Sequence, residues 1–415
     1  MANAEIIAIG SELLTPQRLD TNSLAITEAL NNLGVEVTGK QVVGDDRQRL
    51  TDAIRESLQR AEVVILCGGL GPTEDDVTRD AAAQALQRKL LFSPEQEAIL
   101  AQFFQRLNRT MADNNRRQAY LIQGGEALPN PNGTAPGQFV KTDKGALVLL
   151  PGPPRELKPM MANHVVPRLR AMLPLQVIKV RSFRITGIGE SDLDRMIAPI
   201  YTKYTNPATT ILFASGDLFV HLRARCDTEK ESDALLKEVG DPIAETLGNL
   251  IYTDDVNEPL EGVIGRMLRH QKASLVTAES CTGGLIAARL TSLPGSSQSF
   301  LGGFVTYTDM QKQKVLGVSA ELICERTAVC EEVAAAMADG ARDRTGATYA
   351  LSTTGYAGPD GGTEKDPVGT VYVGVSAPHE TVVQRIQHGG DRERVRTYST
   401  QSALNILRKV LQNHC

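Results

Sequence analysis

Apolar and polar positions along this chain of 415 residues follow two alternating periods. Short apolar runs at 5–9, 35–43 and 63–67 have the length of buried strands, and between them 22–33 and 46–61 repeat apolar residues at helical spacing. The order β-α-β-α-β predicts a mostly parallel sheet with helices on both faces. From about Leu173 the pattern changes. Strands are expected at 177–185, at 210–214 and 218–225 as a hairpin around Ser215, Gly216 and Asp217, and at Ile251 and Tyr252. Helices are expected at 189–201, capped near Glu190 and Ser191, and at 229–247. A third segment opens after Pro259 with a helix at 260–270, a strand ending at Leu275 and Val276, and a polar turn over 277–282 leading to a helix near Leu285. Strands at 299–307, 350–353 and 368–375 follow, with a helix beginning at Thr308 and a terminal helix opened by 388–396.

Length and charge narrow the class. A chain this long exceeds one hydrophobic core, and the breaks in pattern place domains at 1–172, 173–253 and 254–415. A formal net charge of −5, with both signs interspersed, offers no basic stripe for nucleic acid. The six cysteines, Cys67, Cys226, Cys281, Cys324, Cys330 and Cys415, show no metal-binding or framework spacing, which favours reduced thiols. With no leader-like N-terminus and no stretch of membrane-spanning length, a soluble cytoplasmic protein is expected.

Two stretches carry candidate chemistry. The loop 68–78, GGLGPTEDDVT, sets Gly69, Gly71 and Thr73 before a helix and crowds Asp75, Asp76 and Thr78 together. With Asp20 from a neighbouring turn, these oxygens are suited to a hard divalent cation beside a pyrophosphate; equally, the two aspartates suit the positive end of a helix dipole. The loop lacks both the Walker A ending and the dinucleotide spacing. In the third segment, TAESCTGG places Ser280 at an expected helix N-terminus, where free amides can hold an oxyanion or a phosphate; the simpler reading is an N-cap serine. None of the six histidines falls near this turn, so the base for a serine nucleophile must be another group. Lys312, five residues after Tyr307 across a strand-to-helix junction, is the candidate, and a cation there is disfavoured as a mere first-turn residue. Cys281 is an alternative nucleophile.

The ordered motifs SELL, LDTN, CGGLGPTEDDVT, NRRQAYLIQGGEALPNPNGTAPG and LLPGPPREL closely resemble the molybdopterin-binding-like domain of the CinA family. TAESCTGG, GGFVTYTDMQKQKVLGV, STTGYAGPDGG, PVGTVYVGV and GGDRERVR resemble its C-terminal domain, and the middle segment resembles its KH-like linker, without the basic loop that clamps RNA. The resemblance implies an α/β fold throughout: a molybdopterin-binding-like α/β domain, a small α+β KH-like domain and an α/β amidohydrolase domain. It implies two activities, hydrolysis of nicotinamide mononucleotide to nicotinate mononucleotide and ammonia, and metal-dependent hydrolysis of ADP-ribose to AMP and ribose 5-phosphate; the alternative is a non-catalytic molybdopterin-like binding or competence accessory protein. For the first, Ser280 is the expected nucleophile, Lys312 its base and Tyr307 an assisting hydroxyl. Thr282, Gly283, Thr354 and Gly355 are expected beside the substrate, with Arg392 and Arg396 on its phosphate and no cofactor. For the second, Asp20, Asp75 and Asp76 are expected to hold Mg, Mn or Co, with Asn22, Gly69, Gly71, Thr73, Thr78, Gly133 and Thr134 on the ligand. Tyr356 departs from the usual small aliphatic residue of its loop, and 387–389 from the usual phenylalanine-containing approach. The resemblance further implies a homodimer acting on small molecules, with no nucleic-acid or membrane partner.

Overall fold

Strand β1 (Asn3–Ile9) is parallel to both of its neighbours, β2 (Glu36–Val43) and β3 (Val63–Cys67). Consecutive residues of β1 point to opposite faces, so Ile6 enters one apolar core and Ile7 the other. The computed structural model describes residues 2–173, 176–214 and 216–413. Contacts divide it into two compact units, 1–179 with 224–235, and 180–223 with 236–415.

The first unit is built on a six-stranded sheet of order β2-β1-β3-β8-β7-β6, completed by β6 (Gly125–Leu128), β7 (Gly137–Lys141) and β8 (Ala146–Leu150). Strand β8 continues the parallel set, whereas β7 and β6 return as antiparallel hairpin strands at one edge. Helices α1 (Asn22–Asn32), α2 (Arg47–Arg60) and α3 (Thr78–Ala85) alternate with the first strands. Asp46 caps α2 by accepting from the Arg49 amide at 2.8 Å. A small ribbon of β4 (Leu90–Phe92) and β5 (Tyr120–Ile122) brackets α4 (Pro94–Arg106), and α5 (Pro154–Met160) and α6 (Val166–Met172) follow β8 through a π turn. Of these, only the broad β-α-β-α-β order and the first helices are legible from periodicity.

The second unit contains most of a sheet ordered β10-β11-β9-β12, from β9 (Val177–Ile185), β10 (Ala208–Ala214), β11 (Asp217–Cys226) and β12 (Ile251–Thr253), with α7 (Glu190–Tyr201) and α8 (Glu229–Leu247). Ser215, expected in the hairpin turn, lies outside the described residues, as do His414 and Cys415. The expected cap of α7 at Glu190 and Ser191 is displaced: Gly189 takes the N-cap position and offers no side chain.

The C-terminal sheet has the order β14-β13-β15-β16-β17, from β13 (Leu275–Glu279), β14 (Phe300–Val305), β15 (Tyr349–Gly355), β16 (Thr370–Ser376) and β17 (Thr381–Gln387). The first three strands are parallel and the last two antiparallel. Around it lie α9 (Leu260–His270), α10 (Leu285–Thr291), α11 (Asp309–Leu316), α12 (Ala320–Arg326), α13 (Glu331–Thr345) and α14 (Arg392–Asn413). Gln401 of α14 ties these elements together. It donates to the buried Asp217 of β11, which also accepts from Arg184 and from the Tyr252 hydroxyl, each at 2.6 Å, and it accepts from Arg289 of α10 at 2.6 Å. Among the described residues no helix is long and apolar enough to cross a membrane.

One residue in this unit sits in a conformation its side chain opposes. Thr327, ending α12, has φ 74 and ψ 163, a region that β-branched residues avoid. Replacing it with glycine removes a strain of about 1–3 kcal/mol but adds unfolded-chain entropy. Thr327→Gly is therefore expected to raise stability by about 1 kcal/mol, read as a higher urea midpoint at unchanged slope.

Candidate functional site

The strand predicted to end at Val276 continues to Glu279, so Thr277, Ala278 and Glu279 are buried sheet rather than turn. Neighbours on both sides account for this: β14 and β15 pair with the backbone along its whole length. Helix α10 then begins at Leu285 as expected, but its N-cap is Gly284, at φ 93, and not Ser280. The capping reading of Ser280 therefore fails. The open helix N-terminus expected for an oxyanion or phosphate is absent too, because Glu279 fills it. Its fully buried carboxylate accepts from the amides of Gly284, Ile286 and Ala287 at 2.9, 3.1 and 2.9 Å and from the Thr282 hydroxyl at 2.7 Å. Sequence reasoning missed this residue, although a glutamate followed by a Thr and two glycines ahead of a helix was the available signal. Ser280 is held at the strand end by its amide, which donates to the Thr353 carbonyl at 2.9 Å.

Three further elements close a cavity of about 250 Å³ around Ser280. Helix α11 starts at a capping Thr308 and brings in Lys312, only 2% exposed, with its Nζ 3.4 Å from Asp309 Oδ1. A surface lysine is thus excluded. Strand β15 ends in Thr354 and Gly355 at the cavity; the Thr354 hydroxyl donates to the Ala328 carbonyl at 2.7 Å. Arg392, first residue of α14, donates to the Gly358 carbonyl at 2.7 Å and to the Tyr307 hydroxyl. The structure therefore brings Ser280, Lys312, Tyr307, Thr354, Gly355 and Arg392 together, with Asp309, Ala328, Val329 and Asp360 as lining that the sequence did not flag. Ser280 and Lys312 share the cavity without a hydrogen bond between them among the described residues, and the Tyr307 hydroxyl meets Arg392 rather than Ser280. Thr282, Gly283 and Arg396 stand outside the lining. The Thr282 side chain is spent on Glu279 and Thr353, and Arg396 donates to the Thr282 carbonyl at 2.9 Å, close against Gly283. Cys281 is 5% exposed and burial pushes its thiol up to about 12, which removes it as a thiolate nucleophile.

The first unit has its own cleft, of about 360 Å³, at the carboxyl ends of β1 and β3 and beside Gly152. Asp20 and Asn22 line it as expected, joined by Glu12 and Arg18, which the sequence did not flag. The Asn22 amide donates to the Gly152 carbonyl at 2.6 Å and to Cys67 Sγ at 3.3 Å, while its buried Oδ1 has no partner among the described residues. The other predicted residues fold elsewhere. Gly133 and Thr134 line a separate cavity of about 610 Å³, where the Thr134 hydroxyl accepts from Gln118 at 3.1 Å. In the 68–78 loop, Gly69 takes φ 63 and lies against Thr78, whose hydroxyl donates to the Gly68 carbonyl at 2.8 Å. The Asp76 carboxylate lies against Gly71 and accepts from the amide and hydroxyl of Thr73. The expected metal set is not assembled: among the described residues no three His, Cys, Asp or Glu side chains converge, Asp20, Asp75 and Asp76 included. The reason is local. Asp20 accepts from the Ser23 amide at 3.0 Å, Asp76 from Thr73, and a bond from Thr73 holds the exposed Asp75 below its ordinary range, so Asp20 serves one turn and the other two carboxylates share another.

Comparison with known proteins divides the chain in three. Residues 5–171 match the family model "Probable molybdopterin binding domain", 180–253 "Damage-inducible protein CinA KH domain" and 257–411 "CinA C-terminal domain". A CinA-like protein of Solibacter usitatus is 54% identical over 407 residues, 98% of both chains, and one of Koribacter versatilis is 44% identical over 98% of this chain and 99% of its own. A solved structure of the competence damage-inducible protein A from Klebsiella pneumoniae, 35% identical, covers 37% of this chain and 95% of its own, with a TM-score of 0.36.

The Glu279 cap has a measurable weight. Glu279→Gln turns an amide NH₂ toward at least one backbone N–H and removes the charge, for an expected loss of about 2–3 kcal/mol. Chemical denaturation checks it; a change below about 0.5 kcal/mol would contradict the carboxylate as the keystone of this turn.

Proposed function

The chain belongs to the CinA family, and on that premise we propose that its C-terminal domain is a serine-lysine amidase that hydrolyses nicotinamide mononucleotide to nicotinate mononucleotide and ammonia. The supporting observation is a buried lysine and a strand-end serine lining one cavity, together with hydroxyl and guanidinium groups and without a histidine. A non-catalytic binding protein has no chemical need for that pair.

The chemistry follows from the positions. Lys312 Nζ takes the proton of Ser280 Oγ as the oxygen attacks the carboxamide carbon. The amides of Cys281 and Thr282, next to Ser280 in the chain, would supply the donors for the oxyanion, since those at the start of α10 are held by Glu279. The C–N bond breaks as Lys312 returns the proton to the leaving nitrogen, and ammonia departs. Water then attacks the ester, gives its proton to Lys312, and Ser280 is released with the carboxylate product. Arg392, which lines the cavity, would meet the phosphate of the substrate.

A second reading concerns the first unit. The unpartnered Asn22 oxygen in a cleft that also carries Arg18 supports a nucleotide ligand there, and we propose ADP-ribose hydrolysis as its activity. Among the described residues the acidic side chains do not form a metal set.

Both readings are tested on the full chain. Ser280→Ala is expected to abolish ammonia release and to spare ADP-ribose hydrolysis, and Asn22→Ala to do the reverse. Lys312→Met, which keeps apolar bulk, should lower ammonia release about a hundredfold or more, and Lys312→Arg should fail equally because a guanidinium stays charged. A Met variant within about tenfold of the parent would exclude Lys312 as base. Iodoacetamide at neutral pH should leave the rate unchanged, because Cys281 is buried as a thiol.

A further inference from the structure

The Ser280 cavity carries a charged group that the hydrolytic steps leave unused. Its two basic side chains are engaged, Lys312 with Asp309 at 3.4 Å and Arg392 with Gly358 and Tyr307. Asp360, exposed on the same cavity, has no ion-pair or hydrogen-bond partner among the described residues. Tyr356 lines that cavity too and packs against a small cluster of Val329, Ala334 and Tyr372. Gly361, at φ 92, folds the loop so closely over the tyrosine that a Cβ there would meet Tyr356 Cδ1 at 3.2 Å. The loop is anchored at its far end. Asp366 accepts from the Tyr372 hydroxyl at 3.0 Å and from Arg385 at 2.8 Å, and the Thr363 amide donates to the Asp366 carbonyl at 2.8 Å. A braced aromatic ring and an unpaired carboxylate in one small cavity are the groups that attract a planar cation.

We propose that Tyr356 and Asp360 form the subsite for the positively charged pyridinium ring, so that the cavity selects the charged ring over an uncharged ring bearing the same carboxamide and ribose phosphate. The inference rests on the reading of this cavity as a nicotinamide-nucleotide amidase. Without these groups a cationic ring would enter beside Lys312 and Arg392 with only Asp309 to offset them.

The test measures kcat and KM for ammonia release from nicotinamide mononucleotide at low ionic strength, together with the inhibition constant of benzamide ribotide, whose ring is uncharged. The full-length parent, Asp360→Asn, Tyr356→Phe and Tyr356→Leu are compared. Asp360→Asn is expected to raise KM for the charged substrate about fivefold with kcat within about twofold, the scale of an exposed ion pair, and to leave binding of the uncharged analogue unchanged. Tyr356→Phe should match the parent, and Tyr356→Leu should weaken the charged ligand more than the uncharged one. Asp360→Asn and Tyr356→Leu affecting both ligands equally, or neither, would overturn the subsite while leaving the amidase intact. A parent that releases no ammonia from nicotinamide mononucleotide would remove the amidase reading, and this inference with it.

Discussion

The turn that carries Ser280 depends on one buried carboxylate. Glu279 ends the central parallel strand and satisfies three amides of α10 together with the Thr282 hydroxyl, all without solvent. A buried carboxylate is costly unless its oxygens are matched by donors, and here the helix N-terminus supplies them. That match fixes the path of the chain between β13 and α10, and with it the place of Ser280. It also occupies the amides at the start of α10, which are thereby closed to any other anion.

The cavity is assembled where elements distant in sequence reach one end of one sheet. Ser280 follows β13, Tyr307 follows β14, and Thr354 and Gly355 end β15, all at the carboxyl edge of the parallel strands. Lys312 comes from the helix after β14 and Arg392 from the start of α14. Gln401 steadies this arrangement by joining α14 to Arg289 of α10 and to Asp217 of β11, and Arg289 in turn meets Glu261 of α9. Through these buried bonds the KH-like segment of this CinA-family chain is physically linked to the helices flanking Ser280.

The first unit uses its polar residues differently. Its sheet is covered on both faces, so the free edge of the parallel strands again forms a cleft. There the loop rich in Gly and Asp is largely self-satisfied, with Thr73, Asp76 and Thr78 bonded within it. What the cleft leaves unsatisfied is the carbonyl oxygen of Asn22.

Much of this was legible in the sequence. The buried runs of β1 and β3 and the junction that carries Tyr307 and Lys312 have local causes, namely periodicity, turn chemistry and helix termini. Ordered motifs likewise marked the Ser280 and Thr354 loops as belonging to one site. Tertiary structure decided what local causes cannot. Thr277 to Glu279 carry turn-like residues and still form strand, because β14 and β15 flank them and the α10 amides receive the glutamate. Arg396 sits one helical turn beyond Arg392, yet it is drawn onto the Thr282 carbonyl and away from the cavity. Asp20, Asp75 and Asp76 looked like one ligand set on paper, yet in space Asp20 is held by the Ser23 amide while Asp75 and Asp76 bond Thr73. In each case the side chain's own chemistry was readable, but its partner was set by which distant backbone groups the fold left unpaired, and that is a property of the packed chain.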